Sequence, residues 1–251
     1  MVMDFRQETG RKRIPALDAL RGMFALLVVI DHTLMTTGAF VLSGAAHFAV
    51  LFFFILSGFV LARSYDGRFL NFIVRRLIRL WPLYAICIVC GSIIAGKHVA
   101  MGNLVWWPQS EPDVDPPAWT LYYEAWAIPL LPVVFYLVSL NRSFAIILTA
   151  LSLTWWHIDS RLTFAPFFVA GVAAAQFDIP FPTRIPRPAL WLGQISFSLY
   201  LTHQIVLNAA VAAFGPSGAV ASLPAVVLIA WAAWWAIEQP SIALSRRVGK
   251  T

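Results

Sequence analysis

Charged side chains are scarce in this chain: Asp, Glu, Lys and Arg make up 12% of its 251 residues, against about a quarter in an ordinary soluble domain. So little charge excludes a water-soluble globule, and 60% hydrophobic residues with a mean hydropathy of +0.75 point to lipid as the solvent. Cysteine is scarcer still. Cys87 and Cys90 are the two, both within an apolar run, which excludes a disulfide framework and reads as reduced core thiols rather than a redox or metal pair. No metal site is expected. Internal repeats and low-complexity tracts are missing, so residues 1–251 are expected to form one integral membrane domain with tails at 1–15 and 239–251. No motif supports nucleic-acid binding.

What is present is a series of apolar stretches near the length a bilayer requires, about 17 to 25 residues. They predict an all-α polytopic bundle of about eight spans, at roughly 16–36, 46–63, 77–96, 118–139, 143–158, 162–177, 189–213 and 219–238. The basic segment from Asp66 to Arg79, interrupted by apolar residues, suits a membrane surface. The loop from Lys97 to Pro117 is rich in proline and carries Glu111, Asp113 and Asp115.

Lysine and arginine set the expected orientation. With a cytoplasmic N-terminus, the inner segments hold Arg6, Arg11, Lys12, Arg13, Arg63, Arg68, Arg75, Arg76, Arg79, Arg142, Arg184, Arg187, Arg246, Arg247 and Lys250, and the outer ones only Lys97 and Arg161. Both termini are then cytoplasmic, and the net charge of +6 belongs to that face. Anchoring to the anionic lipid of the bilayer is the plain role for most of these cations.

Ionisable groups inside the spans mark the functional candidates. The first span carries Asp18, Arg21, Asp31 and His32. Arg21 and His32 are eleven positions apart, roughly 16 Å along a helix, so one helix can hold both ends of a long substrate. Glu124 in the fourth span is expected at a depth similar to His32, and His203 of the seventh in the middle to outer part of the membrane, so the three are expected to share a layer. In the seventh, Ser196, Tyr200 and His203 fall at i, i+4 and i+7 and make one polar stripe, which belongs against a cavity. Structural roles compete for several of these residues. His203 serves equally as a helix-packing partner, Asp18 and Arg21 suit a local i, i+3 ion pair, and Glu238 suits a structural role beside an arginine.

Six motifs occur in order: Ala-Leu-Asp-Ala-Leu-Arg-Gly (16–22) with His32 eleven positions after the arginine, Phe-Phe-Phe-Ile-Leu-Ser-Gly-Phe-Val-Leu (52–61), Arg-Arg-Leu-Ile-Arg-Leu-Trp-Pro-Leu-Tyr (75–84), Trp-Thr-Leu-Tyr-Tyr-Glu (119–124), Ile-Ser-Phe-Ser-Leu-Tyr-Leu-Thr-His (195–203) and Glu-Gln-Pro (238–240). Together they resemble the acyltransferase-3 family of integral membrane acyltransferases over nearly the whole chain. The resemblance implies transfer of an acyl group, most often acetyl from cytoplasmic acetyl-CoA, to a hydroxyl of a cell-envelope saccharide or lipid-linked glycan. It also implies a multi-pass protein of a bacterial inner membrane. The family usually has more spans, and here the interval between Glu124 and the Tyr-Leu-Thr-His motif is short.

On that resemblance the acyl-CoA donor, a polyanion with a long pantetheine arm, is expected on Arg21, Arg75, Arg76 and Arg79, with Arg75 and Arg79 on one helical face. A hydroxyl is a poor nucleophile at neutral pH, and an imidazole with a pKa near 6.5 suits removal of its proton. His32 is therefore assigned as the general base or, as the lesser alternative, an acyl carrier. Glu124 is expected to orient His32 or to bind the acceptor saccharide or glycolipid. Trp119, Tyr123, Tyr200 and His203 are expected to line the acceptor side. The competing classes are a transporter or flippase with a His/Glu proton relay, which broken helices and inverted repeats would favour, and a non-catalytic family member whose polar groups serve packing alone.

Overall fold

A computed structural model describes residues 14–38, 45–99, 101–106, 115–140, 164–177 and 179–248, together with Ser143, Phe144, Ile146, Ile147 and Ala150. The described residues are helical with no strand. The long elements are α1 (Pro15–Thr37), α2 (Ala45–Ser64), α3 (Phe69–Ala95), α5 (Trp119–Leu140) and α7 (Arg187–Phe214). Shorter pieces are α4 (Met101–Leu104), α6 (Ala165–Ala174) and α8 (Ser217–Ala221). The last span joins α9 (Leu223–Ala233) to α10 (Gln239–Val248) through a π-helical turn at Trp234–Glu238.

Six helices among the described residues are long and apolar enough to cross a membrane, the last of them Leu223–Val248. The sequence led us to expect about eight. The expected fifth span, 143–158, lies largely outside the described residues. The sixth is seen as α6, whose ten residues extend only about 15 Å. Residues 239–248, expected as tail, continue the last helix and bury Ser241 and Ser245. Large apolar side chains such as Met23, Ile93, Trp81, Leu228 and Trp235 stand exposed around the bundle, as lipid-facing residues do and the surface of a soluble monomer rarely does.

Between such helices apolar burial supplies little drive, so close backbone approach through small residues takes its place. A Cβ added at Gly22 of α1 would lie 2.6 Å from the backbone nitrogen of Gly193 in α7. Likewise α2 and α6 meet at Gly58 and Gly171, where an added Cβ would lie 2.1 Å from the Phe168 carbonyl and 2.0 Å from the Ile55 carbonyl. These two pairs of helices form the frame.

Ring and hydrogen-bond contacts fix the directions. His47 and Phe54 of α2 meet Phe164, and Phe59 meets Phe181, so α6 runs parallel to α2. Trp119 lies against Phe54, Glu124 against Ser57, and Phe135 against Tyr65, so α5 is parallel to α2 as well. Because Trp119 meets Phe54, nine residues into α2, α5 starts about 14 Å below the first turn of α2.

The Lys97–Pro117 connection also departs from a simple outer loop. The Trp81 indole N–H donates to the Leu104 carbonyl (2.9 Å), the Tyr84 hydroxyl to the Asn103 carbonyl, and the Trp126 indole N–H to the Trp106 carbonyl (3.0 Å). Trp81 and Tyr84 lie eleven or more residues before the end of α3, so the 101–106 segment folds back by roughly 16 to 21 Å along it. Backbone that the short helix α4 leaves without an internal partner is tolerated at depth because side chains of the bundle hydrogen-bond it.

Candidate active site

The segments that meet at the arginine end of the bundle are the start of α1, the end of α2 and the start of α3. Asp66, in the α2–α3 turn, accepts a hydrogen bond from the Arg68 backbone N–H (3.1 Å) and pairs with the Arg75 guanidinium (3.0 Å). Desolvation raises the Asp66 carboxyl, but these two contacts outweigh it and hold the group below its ordinary value. Arg75 is thereby committed to Asp66. The Arg76 guanidinium donates to the Ser64 hydroxyl and also faces a cavity.

That cavity has about 850 Å³ of empty space and is partly open. At one end stand Arg21, Arg76 and Arg79; along its walls are Phe53, Phe54, Leu56, Val60, Leu61 and Phe197; Thr120, Ser196 and Tyr200 also border it. A cationic mouth leading into an apolar passage suits a ligand with an anionic head and a neutral arm. Asp18 forms the local i, i+3 pair with Arg21 at 3.7 Å. The sequence grouped Arg75 with Arg79 on one face, whereas the cavity is lined by Arg76 and Arg79 with Arg21, and Arg75 is turned to Asp66.

Glu124 lines the same cavity and accepts a hydrogen bond from the Ser57 hydroxyl (2.9 Å). It acts electrostatically on Arg21, which places it with the arginines rather than level with His32. The expected His32–Glu124 encounter is not what the fold produces. Instead His32 Nδ1 lies 3.0 Å from His203 Nε2, with the ring centroids 5.1 Å apart. His203 is fully buried, and its own Nδ1 lies 3.1 Å from the Leu199 carbonyl one turn earlier in α7.

Tyr200 links the two groups. Its ring centroid is 6.1 Å from that of His203, its hydroxyl bonds with the Thr120 hydroxyl at 3.2 Å, and it borders the cavity. The stripe expected at Ser196, Tyr200 and His203 thus runs from the cavity wall to the histidine pair. Trp119 and Tyr123 enter an aromatic cluster with Phe54 and Phe164. Sequence reasoning passed over Ser57, which lies in the 52–61 motif, and Thr120, which lies in the 119–124 motif. Glu238 is buried in the π-helical turn, where it accepts from the Ser198 hydroxyl (2.7 Å) and acts electrostatically on Arg79 and Arg21. Among the described residues no cluster of three or more His, Cys, Asp or Glu could hold a metal.

Comparison with curated proteins and with solved structures gives no match. The family model of an acyltransferase domain, acyltransferase 3, matches residues 14–192, which takes in α1 to α6, the arginines, His32 and Glu124. The match stops at the start of α7, before His203 and Glu238. With a match over most of its length and six helices able to cross a bilayer, the chain belongs to the acyltransferase 3 family and is a multi-pass membrane acyltransferase.

Proposed function

We propose that the protein transfers a short acyl group, acetyl foremost, from acyl-CoA on the cytoplasmic side to a hydroxyl of a cell-envelope saccharide or glycolipid. The observation that carries this is the single cavity bordered by Arg21, Arg76 and Arg79 and by Tyr200, beside the His32–His203 pair. Arg21, Arg76 and Arg79 hold the phosphates of the donor by charge-assisted hydrogen bonds. The pantetheine arm follows the apolar walls at Phe53, Phe54 and Phe197, and Arg21 and His32 are separated by roughly 16 Å of helix for it to span.

The hydrogen bonds support a division of work between the two histidines. If Nδ1–H of His203 donates to the Leu199 carbonyl, its Nε2 keeps a lone pair and accepts from Nδ1–H of His32. The lone pair on His32 is then at Nε2, and an incoming hydroxyl reaches it by taking the place of the Gln204 side chain, which also hydrogen-bonds the His32 ring. As the hydroxyl oxygen attacks the thioester carbonyl, His32 Nε2 takes its proton. The C–S bond breaks, the ester forms, and the departing thiolate takes the proton from His32 to leave as the CoA thiol. His203 orients the base, the task expected at first of Glu124. Glu124 instead balances Arg21 at the wall of the donor passage.

The test is acetyl-CoA binding and acetyl transfer measured on the same purified, inserted protein. His32→Ala is expected to bind acetyl-CoA as the wild type does and to lose transfer. Wild-type transfer by His32→Ala would overturn the assignment.

A further inference from the structure

Three side chains gathered around Tyr84 of α3 are buried beyond nine-tenths and lack partners. Asp115 is fully buried with neither carboxyl oxygen hydrogen-bonded, Asn103 is 5% exposed with a bare Oδ1, and Trp106 is 7% exposed with a bare indole N–H. They belong to one place. The Tyr84 hydroxyl donates to the Asn103 carbonyl, the Trp106 ring centroid is 5.1 Å from that of Tyr84, and Asp115 acts electrostatically on Tyr84 and on Tyr200.

Each orphan atom has given up its hydrogen bonds to water without replacement, at a cost that is greater for a carboxylate than for a neutral group. In either protonation state Asp115 keeps at least one oxygen without the hydrogen bond that burial demands. Trp106 adds strain: it is the one non-glycine among the described residues with a positive φ, 52°, a conformation that bulky side chains disfavour. Its carbonyl, held by Trp126 Nε1, keeps it there. Penalties concentrated on a folded-back segment are the mark of a site whose ligand completes the hydrogen bonds.

The atoms specify the ligand. Asp115 and Asn103 offer acceptors for hydroxyl protons, and the Trp106 N–H is a donor for a hydroxyl oxygen; a cation would meet the indole hydrogen as a repulsive partner. Tyr84 is 1% exposed and packed against Trp106, so this place takes the hydroxyls of a ligand and not the face of its ring. Resting on the acyl-transfer assignment above, we propose that Asp115, Asn103 and Trp106 form the acceptor subsite and hold a saccharide ring by its hydroxyls. Tyr200, on which Asp115 acts electrostatically and whose ring centroid is 6.1 Å from that of His203, links this subsite to the base and sets which hydroxyl reaches it.

The experiment uses the full chain in lipid nanodiscs, with methyl α-D-glucopyranoside and its galacto and manno isomers as probes, read by saturation-transfer NMR. Acetyl-CoA affinity is measured on the same samples. Wild-type protein is expected to bind at least one glycoside, and Asp115→Asn or Trp106→Phe to weaken it tenfold or more with acetyl-CoA affinity unchanged. Asp115→Asn removes the charge at constant volume, and retained acetyl-CoA binding certifies its fold. Should Asp115→Asn fail that check, Trp106→Phe, which removes the N–H with the five-membered part of the indole and keeps an aromatic ring, decides once its own acetyl-CoA binding is shown to be intact. Absence of glycoside binding by wild type, or binding indifferent to these substitutions, overturns the subsite while leaving donor binding intact. Binding of radioactive calcium that disappears in Asp115→Asn also overturns it, in favour of a cation. Loss of acetyl-CoA binding by wild type itself would instead sink the acyl-CoA assignment.

Discussion

Gly22 of α1 and Gly193 of α7 are in backbone contact, and they stand in the same register as His32 and His203: each pair is 171 residues apart in sequence. The two helices are parallel, and the glycine contact locks them together ten residues below the histidines. A Cβ at either glycine would meet backbone rather than a movable side chain. Sliding or spreading the pair enough to admit a methyl would carry the imidazoles out of the 3.0 Å contact.

Gly22→Ala is therefore expected to destabilise the folded protein by about 1 to 3 kcal/mol, the usual range for overpacking. It should also lower turnover more than donor affinity. Thermal unfolding in detergent and the split between kcat and acetyl-CoA affinity check the two halves. Gly38→Ala, at a helix end where an added Cβ meets nothing but φ is +69°, gives a control with backbone strain and no helix displacement.

The arginines should separate by role. Arg79→Gln removes a cation that lines the cavity, and Arg76→Gln another; each is expected to weaken acetyl-CoA binding about tenfold, close to 1.4 kcal/mol. The contrast with wild type should shrink at high salt, where charge attraction is screened. Arg75→Gln is expected to change donor affinity much less, because its guanidinium is held by Asp66. Isothermal titration at two ionic strengths distinguishes them, and an Arg75→Gln loss equal to that of Arg79→Gln contradicts this division.

The Asp66–Arg75 contact has a pH signature. The folded-state value of Asp66 is lowered, so its contribution is present above the ordinary carboxylate range near pH 4 and is lost as pH falls through the lower folded value. Asp66 is partly exposed, which keeps the contribution at about 0 to 1 kcal/mol. Unfolding curves of wild type and Asp66→Asn should differ at pH 7 and converge as the pH is taken below the lowered folded-state value.

Orientation is checked by labelling. With Cys87 and Cys90 changed to alanine, a thiol introduced by Arg68→Cys in the exposed α2–α3 turn is expected to react with an impermeant reagent only after the cytoplasmic face is opened. Labelling in intact cells would invert the topology assigned from lysine and arginine.

Helices, and most of the residues at the site, were legible in the sequence because lipid imposes a simple rule: apolar runs of spanning length, interrupted where chemistry occurs. The depth of Glu124 was not. Depth was counted from a presumed start at the membrane surface, whereas α5 begins opposite Phe54, and the count was displaced accordingly. His203 was expected in the layer of His32, but their contact was not legible, since the α1–α7 register is fixed by Gly22 against Gly193, an approach that composition does not reveal. Arg75 lost its expected place because the short turn lets Asp66 reach back to it, a pairing that helical periodicity does not foresee.

The histidine pair yields the sharpest prediction. If His203 only packs α7 against α1, replacing it with a hydrogen-bonding residue that fills similar space should leave transfer nearly intact. As an orienting residue it must accept the Nδ1 proton of His32 and so leave Nε2 free. His203→Gln retains a carbonyl acceptor, while His203→Phe removes it. The direct hydrogen bond between membrane helices is worth only about 0.6 kcal/mol on average, so neither change should unfold the protein. Yet misdirecting the base forfeits part of the 10² to 10⁴ that general-base catalysis supplies. Turnover is expected to fall in the order wild type, His203→Gln, His203→Phe, with His32→Ala lowest, and acetyl-CoA affinity level across the series. Transfer by His203→Phe equal to wild type would reduce His203 to a packing residue and leave the orienting role to Gln204, whose side chain also hydrogen-bonds His32.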